Sequence, residues 1–383
     1  MTLLTTPKQL ARFCDSLKGA EVVTVDTEFM RERTYYSKLC LVQLAGPDAA
    51  AAIDPLAPGM DLGPLYALLA DPNIIKVFHA ARQDVEIFVN ATGQVPAPLF
   101  DTQVAAMVCG FGEAASYETL SDKLAGVKID KSSRFTDWAA RPLTERQTTY
   151  ALADVTHLRV VYEKLCALLE KSGRSDWMRE EMAVLTNKAT YVVEPQNVWK
   201  RLRLRADKPR LRAMVRELAA WRELEAQHLN IPRSRVLKDE PLMEIAHHAP
   251  ATVEELARTR GLHASIAEGR QGKEILEAIA RVKALPPDQY PPGEPRRASP
   301  KGTAAILDLL KVLLKQVSDE YGVASKLIAT SDDLEAIAVE DEPGVKALTG
   351  WRRQLFGELA LALKRGEIAV AVKNKKIVTL PAK

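Results

Sequence analysis

Residues 21–29, Glu-Val-Val-Thr-Val-Asp-Thr-Glu-Phe, constrain the fold more than any other stretch of the chain. Three β-branched valines predict a buried strand, which ends in Asp26 and Glu28. Because side chains alternate along a strand, the i, i+2 spacing places both carboxylates on one face. Two acids on one face of a core strand are costly unless a cation neutralises them, and oxygen ligands at this density suit Mg²⁺ or Mn²⁺. The alternative interpretation is a strand that has already ended, with both acids in solvent.

Strand and helix signals alternate over the first 170 residues and predict an α/β domain. Further strands are predicted at 39–45, 50–54 and 74–78, and helices at 7–17 with Thr6 as N-cap, 62–69, 80–90, 101–108, 117–124 and 143–169. Beyond residue 169 the strand signals stop, and the chain reads as helices with polar connections.

Changes in composition, and prolines that interrupt helices and strands, divide the chain into four parts. We predict an α/β domain over 1–190, a helical domain over 204–284, a proline-rich linker over 285–302 and a second helical domain over 303–383. Five prolines between residues 285 and 297 disfavour regular structure there. The tail, 368–383, is rich in Val and Lys and fits either an edge hairpin or disorder.

The formal net charge is only +3, but basic residues are concentrated in one place. Residues 197–216 hold eight Lys or Arg against the single acid Asp207. This run is either a solvated helix face or a surface that contacts nucleic acid.

Other features exclude several classes of protein. The four cysteines show no paired or metal-ligand spacing, which is typical of reduced thiols in a cytosolic protein. The start has no basic segment followed by an apolar one, and no window approaches a membrane span. Because no phosphate-cradling loop is present, an ATP-driven motor is not expected. We predict a cytoplasmic monomer.

Two more acids stand out by their context. Asp84 lies on a predicted helix among core-facing apolar residues, where a carboxylate needs a partner. Tyr150 and Asp154 are spaced i, i+4 on the predicted helix 143–169 and point the same way. Taken singly, Asp84 could be a surface acid, and the other two residues could simply share a hydrogen bond.

Together these motifs resemble the DEDD 3′–5′ exonuclease superfamily, in its tyrosine-bearing branch, and within it the ribonuclease D family. The matching motifs are Asp26-Thr-Glu-Phe, Lys38-Leu-Cys-Leu-Val-Gln-Leu, His79 to Asp84, Asp101-Thr-Gln, Lys131, Asp137-Trp138, Arg141-Pro142-Leu and Tyr150 to Asp154. The resemblance implies a ribonuclease H-like α/β exonuclease domain, with a mixed sheet flanked by helices. All-α HRDC-type helical domains would follow it. Residues 211–282 resemble the first HRDC module, whereas 303–363 match the second more weakly.

The resemblance also implies roles for five residues. Asp26 would bridge two divalent ions, Mg²⁺ or Mn²⁺, and Glu28 and Asp154 would hold the ion that activates water. Asp84 would serve the second ion largely through its water shell. Tyr150 would orient the attacking water, because a phenol with a pKa near 10 is a poor base at neutral pH.

The implied substrate is RNA with a free 3′-hydroxyl, in particular tRNA precursors, shortened to release 5′-monophosphates. Residues expected to contact it are Thr27, Phe29, His79, Arg203, Arg205, Arg210 and Arg212. A DNA 3′–5′ exonuclease is an alternative, since carboxylates treat both backbones alike. A second alternative is a non-catalytic RNA-binding protein that retains the fold, although all four acids and the tyrosine are present.

Overall fold

The computed structural model describes residues 2–130, 136–204, 208–293 and 302–382. Lys131, Arg205 and part of the predicted linker, 294–301, lie outside these ranges. Within the described ranges, no helix has both the length and the apolar character that crossing a membrane requires.

Six strands form the sheet at the centre of the N-terminal region. In chain order they are β1 (Thr2–Leu4), β2 (Val22–Met30), β3 (Lys38–Ala45), β4 (Ala50–Ile53), β5 (Ile75–Phe78) and β6 (Leu99–Asp101). Their order across the sheet is β1-β4-β3-β2-β5-β6. β3 and β4 are antiparallel, whereas the pairs β1 with β4, β2 with β5 and β5 with β6 are parallel. The predicted mixed sheet is confirmed, and β2 is an inner strand that buries Val23 and Val25 completely.

Helices surround this sheet close to the predicted positions. They are α1 (Pro7–Ser16), α2 (Gly63–Ala70), α3 (Arg82–Thr92), α4 (Thr102–Val108), α5 (Tyr117–Leu120), α6 (Glu145–Lys171) and α7 (Ser175–Thr186). Thr6 caps α1 and forms a capping box with Gln9, as the sequence predicts. Thr144 and Gln147 form the same motif at the start of α6, which runs for 27 residues.

The stretch from 188 to 293 is helical, as predicted, and has its own apolar core. Its α-helices are α8 (Pro209–Leu229), α9 (Arg233–Val236), α10 (Asp239–His248), α11 (Val253–Ala257), α12 (Ala264–Glu268) and α13 (Arg270–Ala284). Short 3₁₀ turns lie at Lys188–Thr190, Pro195–Arg201 and Pro287–Gln289. The last of these turns falls in the linker, where we expected no regular structure. Leu218, Leu242 and Ile275 are fully buried and pack α8, α10 and α13 together.

The C-terminal stretch is also helical and ends in a hairpin. Its helices are α14 (Thr303–Tyr321), α15 (Ser325–Ile328), α16 (Ser331–Val339), α17 (Gly350–Arg352) and α18 (Glu358–Lys364). Strands β7 (Ile368–Lys373) and β8 (Lys376–Pro381) pair antiparallel. Of the two interpretations of the tail, the structure shows the hairpin. Asn374 and Lys375 form its turn, both with positive φ.

The chain divides into two compact units, each assembled from separate segments. The first contains Met1–Thr27, Leu41–Asn187 and Arg297–Lys383; the second contains Glu28–Cys40 and Lys188–Arg296. Within the first unit, the indole of Trp177 stacks on that of Trp351 with centroids 4.4 Å apart, and Arg352 is buried against Glu181. The predicted domain limits stay a prediction, but the C-terminal helices group with the sheet.

Candidate active site

Three carboxylates meet where β2 approaches α6. Oxygen atoms of Asp26, Glu28 and Asp154 all lie within 4.8 Å of one another. Asp26 and Glu28 share one face of the uninterrupted strand β2, although the division between the compact units falls between Thr27 and Glu28. Three anionic oxygens this close repel one another unless a cation lies between them. The donor set, which is all hard oxygen, fits a divalent ion such as Mg²⁺ or Mn²⁺.

Asp84 lies beside this group rather than in it. It occupies the first turn of α3, is 7% exposed, and accepts a hydrogen bond from the hydroxyl of Thr27. Burial raises the pKa of Asp84 well above its ordinary value, and the charge of Asp26 raises it further. Burial also raises the pKa of Asp26, to about 7, although a hydrogen bond from the Thr27 N–H lowers it. Without a cation, the carboxyls of Asp26 and Asp84 therefore resist ionisation.

Two hydroxyl groups hold the backbone of α6 on either side of Asp154. Thr24 Oγ1 donates to the carbonyl oxygen of Val155 at 2.7 Å, and Tyr117 Oη donates to that of Ala153 at 3.0 Å. Thr24 lies on β2, so its bond ties the strand with Asp26 to the helix with Asp154. Sequence reasoning missed both residues, because neither belongs to a recognisable spacing.

Asp101 fixes the start of the helix that carries Asp84. Its carboxylate accepts hydrogen bonds from the N–H groups of Ala80 (3.0 Å), Ala81 (2.9 Å) and Gln103 (2.8 Å). Ala80 has a φ of 56°, a left-handed conformation that interrupts the chain before α3. This explains why α3 begins at Arg82 rather than at residue 80. The Asp101-Thr-Gln motif therefore supports the site instead of joining it.

Tyr150 lies one helical turn before Asp154 on α6, as predicted. Its ring centroid is 6.2 Å from that of Trp138, which is 3% exposed. A cavity of about 390 Å³ opens beside it, lined in part by Asp130, Arg146 and Tyr150. The phenol therefore faces a space of the size that a nucleotide needs.

Arg141, in the Arg141-Pro142 motif, fixes the position of the segment that carries Trp138. Arg141 donates to both carboxylate oxygens of buried Asp54, at 2.8 and 2.7 Å, and to the carbonyl oxygen of Trp138 at 2.7 Å. A bidentate pair of this kind fixes orientation as well as distance. It ties the segment with Trp138 to the end of β4.

The three substrate-contact candidates near the carboxylates differ in their surroundings. Thr27 is 6% exposed and bonded to Asp84, which makes it a support for that carboxylate. Phe29 is partly exposed at the end of β2. His79 is partly buried, with Nδ1 3.0 Å from Thr102 Oγ1, and burial lowers its pKa. Of the three, Phe29 and His79 keep some accessible surface for a substrate.

The basic residues of the run differ in exposure where the structure describes them, at 197–204 and 208–216. Arg203 and Arg210 are exposed, and Arg205 lies outside the described residues. Arg212 is 7% exposed and donates to the carbonyl oxygen of Pro291 at 3.0 Å, which leaves little of this side chain accessible to RNA, and its role as an RNA contact stays a prediction. Arg212 lies on the same face of α8 as buried Val215 and Ala219, so helical phase turns it toward the core.

Known proteins resemble the chain over nearly its full length. The family model described as 3′–5′ exonuclease matches residues 1–170, and that described as HRDC domain matches residues 212–279. Ribonuclease D of Granulibacter bethesdensis is 53% identical over 377 residues, covering 98% of this chain and 95% of the relative. Ribonuclease D of Nitrobacter hamburgensis is 52% identical over 378 residues, covering 99% of each.

A solved structure extends the resemblance to three dimensions. The crystal structure of Escherichia coli RNase D, described as an exoribonuclease involved in structured RNA processing, superposes with a TM-score of 0.81. The two chains are 31% identical, and the match covers 95% of this chain and 98% of the other. The catalytic core of RRP6 from Trypanosoma brucei, at 23% identity and a TM-score of 0.55, shares the fold.

Proposed function

Because the chain belongs to the ribonuclease D family and is a 3′–5′ exoribonuclease, we propose that it trims tRNA precursors and other structured RNAs from their 3′ ends. It would release one 5′-monophosphate at a time and use two divalent ions, Mg²⁺ or Mn²⁺. This proposal rests mainly on the cluster of three carboxylates formed by Asp26, Glu28 and Asp154, whose oxygen atoms lie within 4.8 Å of one another. We also infer a monomer in the cytoplasm.

Each acid would have a distinct part in holding metal. Asp26 would contact both ions, Glu28 and Asp154 would complete one site, and Asp84 would act through the water shell of the second. Held by these acids, divalent ions would supply Lewis acidity, which lowers the pKa of a bound water so that hydroxide is available as the nucleophile and offsets negative charge on the leaving oxygen. The Thr27 hydroxyl, which donates to Asp84, would keep that carboxylate oriented.

Tyr150 would orient the attacking water rather than take its proton. A phenol has an ordinary pKa near 10, so it is neutral at physiological pH and is available as a hydrogen-bond donor or acceptor. Tyr150 stands one turn from Asp154 and lines the 390 Å³ cavity. A position one turn from Asp154 suits a group that fixes the line of attack of a water at the carboxylates.

The test uses the full chain and four substrates labelled at the 5′ end. Two are an RNA and a DNA with free 3′-hydroxyls. The third is the same RNA blocked by a 3′-phosphate, and the fourth is a tRNA precursor with a 3′ extension. We expect stepwise shortening of the unblocked RNAs with Mg²⁺ or Mn²⁺, and none in EDTA. Equal rates on DNA and RNA would replace the RNA assignment with a general exonuclease. A precursor that stays intact while unstructured RNA is degraded would rule out the tRNA proposal.

A further inference from the structure

A second polar cavity, of about 500 Å³, lies wholly within the second compact unit. Residues from the loop after β2 line one side, and residues from the helical stretch line the other. The cavity is rich in guanidinium groups, which come from Arg31, Arg201, Arg222 and Arg233. Such a concentration of arginine around a space of this size is typical of a site for a phosphate-bearing ligand.

Arg222 gives the strongest indication of a ligand, because not all of the N–H donors of its guanidinium have an acceptor. The residue is 5% exposed, and its Nη1 donates to the carbonyl oxygen of Leu237 at 2.9 Å and to Asp239 at 2.7 Å. Its Nε is buried and has no acceptor among the described residues. Buried donors in native proteins are nearly always paired, so an unpaired one calls for an explanation. A small movement of the guanidinium toward an anion in the cavity would pair it.

Arg233 is held in place by Glu223, which is outside the lining, and by Tyr35, which is part of it. Glu223, which is fully buried, accepts hydrogen bonds from Arg233 and from the hydroxyl of Tyr35. The Arg233 guanidinium also lies 5.0 Å from the centroid of the Tyr35 ring. Burial and the bond to Glu223 raise the pKa of Tyr35 to about 12, so the phenol remains a neutral donor. This network fixes one wall of the cavity before any ligand arrives.

Charge on the lining favours an anion. The two acids that line the cavity are Glu32 and Asp239, against four arginines, and Asp239 already pairs with Arg222. Glu223 neutralises Arg233 from behind and is not part of the lining. With Glu223 counted against Arg233, the four arginines exceed the three acids around the cavity by one charge.

We propose that this cavity binds a phosphodiester of the RNA chain, upstream of the 3′ end that is being removed, and that it is a substrate site separate from the carboxylates. The inference rests on the proposed function. Arg31 follows Glu28 by three residues, so the chain places their Cα atoms no more than about 11 Å apart. A volume of about 500 Å³ is that of a pocket for a nucleotide-sized group rather than for a lone ion.

The experiment measures binding of a labelled twelve-nucleotide RNA to the full chain in EDTA, where hydrolysis cannot interfere. The variants are Arg201→Ala, which removes an exposed charge from the lining, and Arg222→Lys, which keeps the charge but loses the planar fork. Arg260→Ala, an exposed arginine of the same unit outside the lining, is the matched control. We expect each lining variant to weaken binding by about tenfold. Arg201→Ala should also reduce the slope of log K against log salt by about 0.7.

Two results would overturn the proposal. Dissociation constants for both lining variants within twofold of the control would show that the cavity does not bind RNA. If Arg222→Lys fails to fold, as judged by thermal unfolding, Arg201→Ala decides alone. The second is a competition result, obtained with 5′-AMP or inorganic phosphate at about 1 mM, a concentration on the order of a weak ligand's dissociation constant. If either compound displaces all RNA from the parent but not from Arg222→Lys, the cavity is a site for a free phosphate monoester. Because binding is measured without metal, failure of the parent to degrade RNA with Mn²⁺ would count against the proposed function alone.

Discussion

Thr24 Oγ1 donates a 2.7 Å hydrogen bond to the carbonyl oxygen of Val155, and this bond joins the strand of Asp26 to the helix of Asp154. Thr24 is 1% exposed, so no water competes for the carbonyl. The carboxylate separation therefore depends on a side chain that has no part in the chemistry itself.

Replacing this hydroxyl should loosen the metal site. Thr24→Val keeps the side-chain shape but removes the donor, which should lower the free energy of unfolding by about 1–2 kcal/mol. We also expect a higher Mg²⁺ concentration at half-maximal rate. Thr156→Val is the control, because Thr156 is exposed and bonds only to Leu152 of its own helix. Equal Mg²⁺ midpoints for the two variants would contradict the positioning role of Thr24.

Asp26→Asn should abolish hydrolysis and make the metal-free protein more stable. The amide cannot bridge two cations, and its neutrality relieves repulsion from Glu28, Asp84 and Asp154. We expect a gain of about 1–3 kcal/mol in the free energy of unfolding in EDTA, measured with denaturant. Mg²⁺ should stabilise the parent but not the variant. The exposed Asp48→Asn should change neither property, and activity of Asp26→Asn within tenfold of the parent would remove Asp26 from the bridging position.

Tyr150 and Asp154 should differ in their dependence on metal. Tyr150→Phe should lower kcat by roughly 10²- to 10⁴-fold with KM nearly unchanged, because a contact made chiefly in the transition state is lost. Asp154→Ala should lower kcat further and raise the Mg²⁺ midpoint. Tyr162→Phe, on the same helix but packed against Phe100, provides the control. A shifted midpoint in Tyr150→Phe would instead make Tyr150 part of the metal site's support.

The buried ion pair between Arg352 and Glu181 should be important for stability. Arg352 is 1% exposed, and its Nε donates to the carbonyl oxygen of Leu327 at 2.6 Å. Arg352→Ala should cost about 3–5 kcal/mol, because it leaves the buried carboxylate of Glu181 poorly compensated. Adding Glu181→Gln should recover part of the loss. Urea unfolding of these variants tests the pair, with Arg353→Ala as the control, because the partly exposed Arg353 pairs with Glu342 and Glu358 at the surface and its loss should cost less. Additive single losses would mean that Arg352 and Glu181 act independently.

The burial of Lys76 leads us to expect that the free energy of unfolding increases with pH in the alkaline range. This side chain is fully buried, its Nζ donates to the carbonyl oxygens of Asp71 and Ala97 at 2.7 Å each, and burial lowers its pKa to about 8. Between pH 8 and the ordinary value of 10.5, the unfolded chain holds a proton that the folded chain has lost, so stability rises with pH.

The comparison is between the parent and Lys76→Met. The free energy of unfolding of the parent, relative to the variant, should increase by about 2 kcal/mol from pH 7 to pH 10. Lys8→Met, at an exposed position, is the matched control for the loss of one lysine. A flat difference for Lys76→Met would mean that Lys76 keeps its proton in the folded state.

The sequence was most informative where several weak signals pointed to one chemistry. Asp26 and Glu28 were predicted to share a strand face, and the structure brings both to Asp154. Their placement follows from strand alternation, and that of Tyr150 relative to Asp154 from helical spacing, both of which are local rules. Local rules also predicted the cap at Thr6.

Features that depend on distant partners were not predictable in this way. β1 and β6 have three residues each, too few for a pattern, and they exist because β4 and β5 offer free edges. Arg212 belongs to a basic run, yet the apolar neighbours on its helix face decide that it is buried. Tyr117 reaches the backbone beside Asp154 only after folding.

The two compact units also differ in when they can be completed during translation. Synthesis proceeds from the N-terminus, and domains generally fold as units while the chain emerges. The unit of Glu28–Cys40 and Lys188–Arg296 has all its segments once residue 296 has left the ribosome. The unit that carries Asp26 and Asp154 also includes Arg297–Lys383, with Arg352 and Trp351 against α7. A nascent chain stalled just after residue 296 has left the exit tunnel should therefore have a folded helical module and a nuclease core that still lacks its last helices.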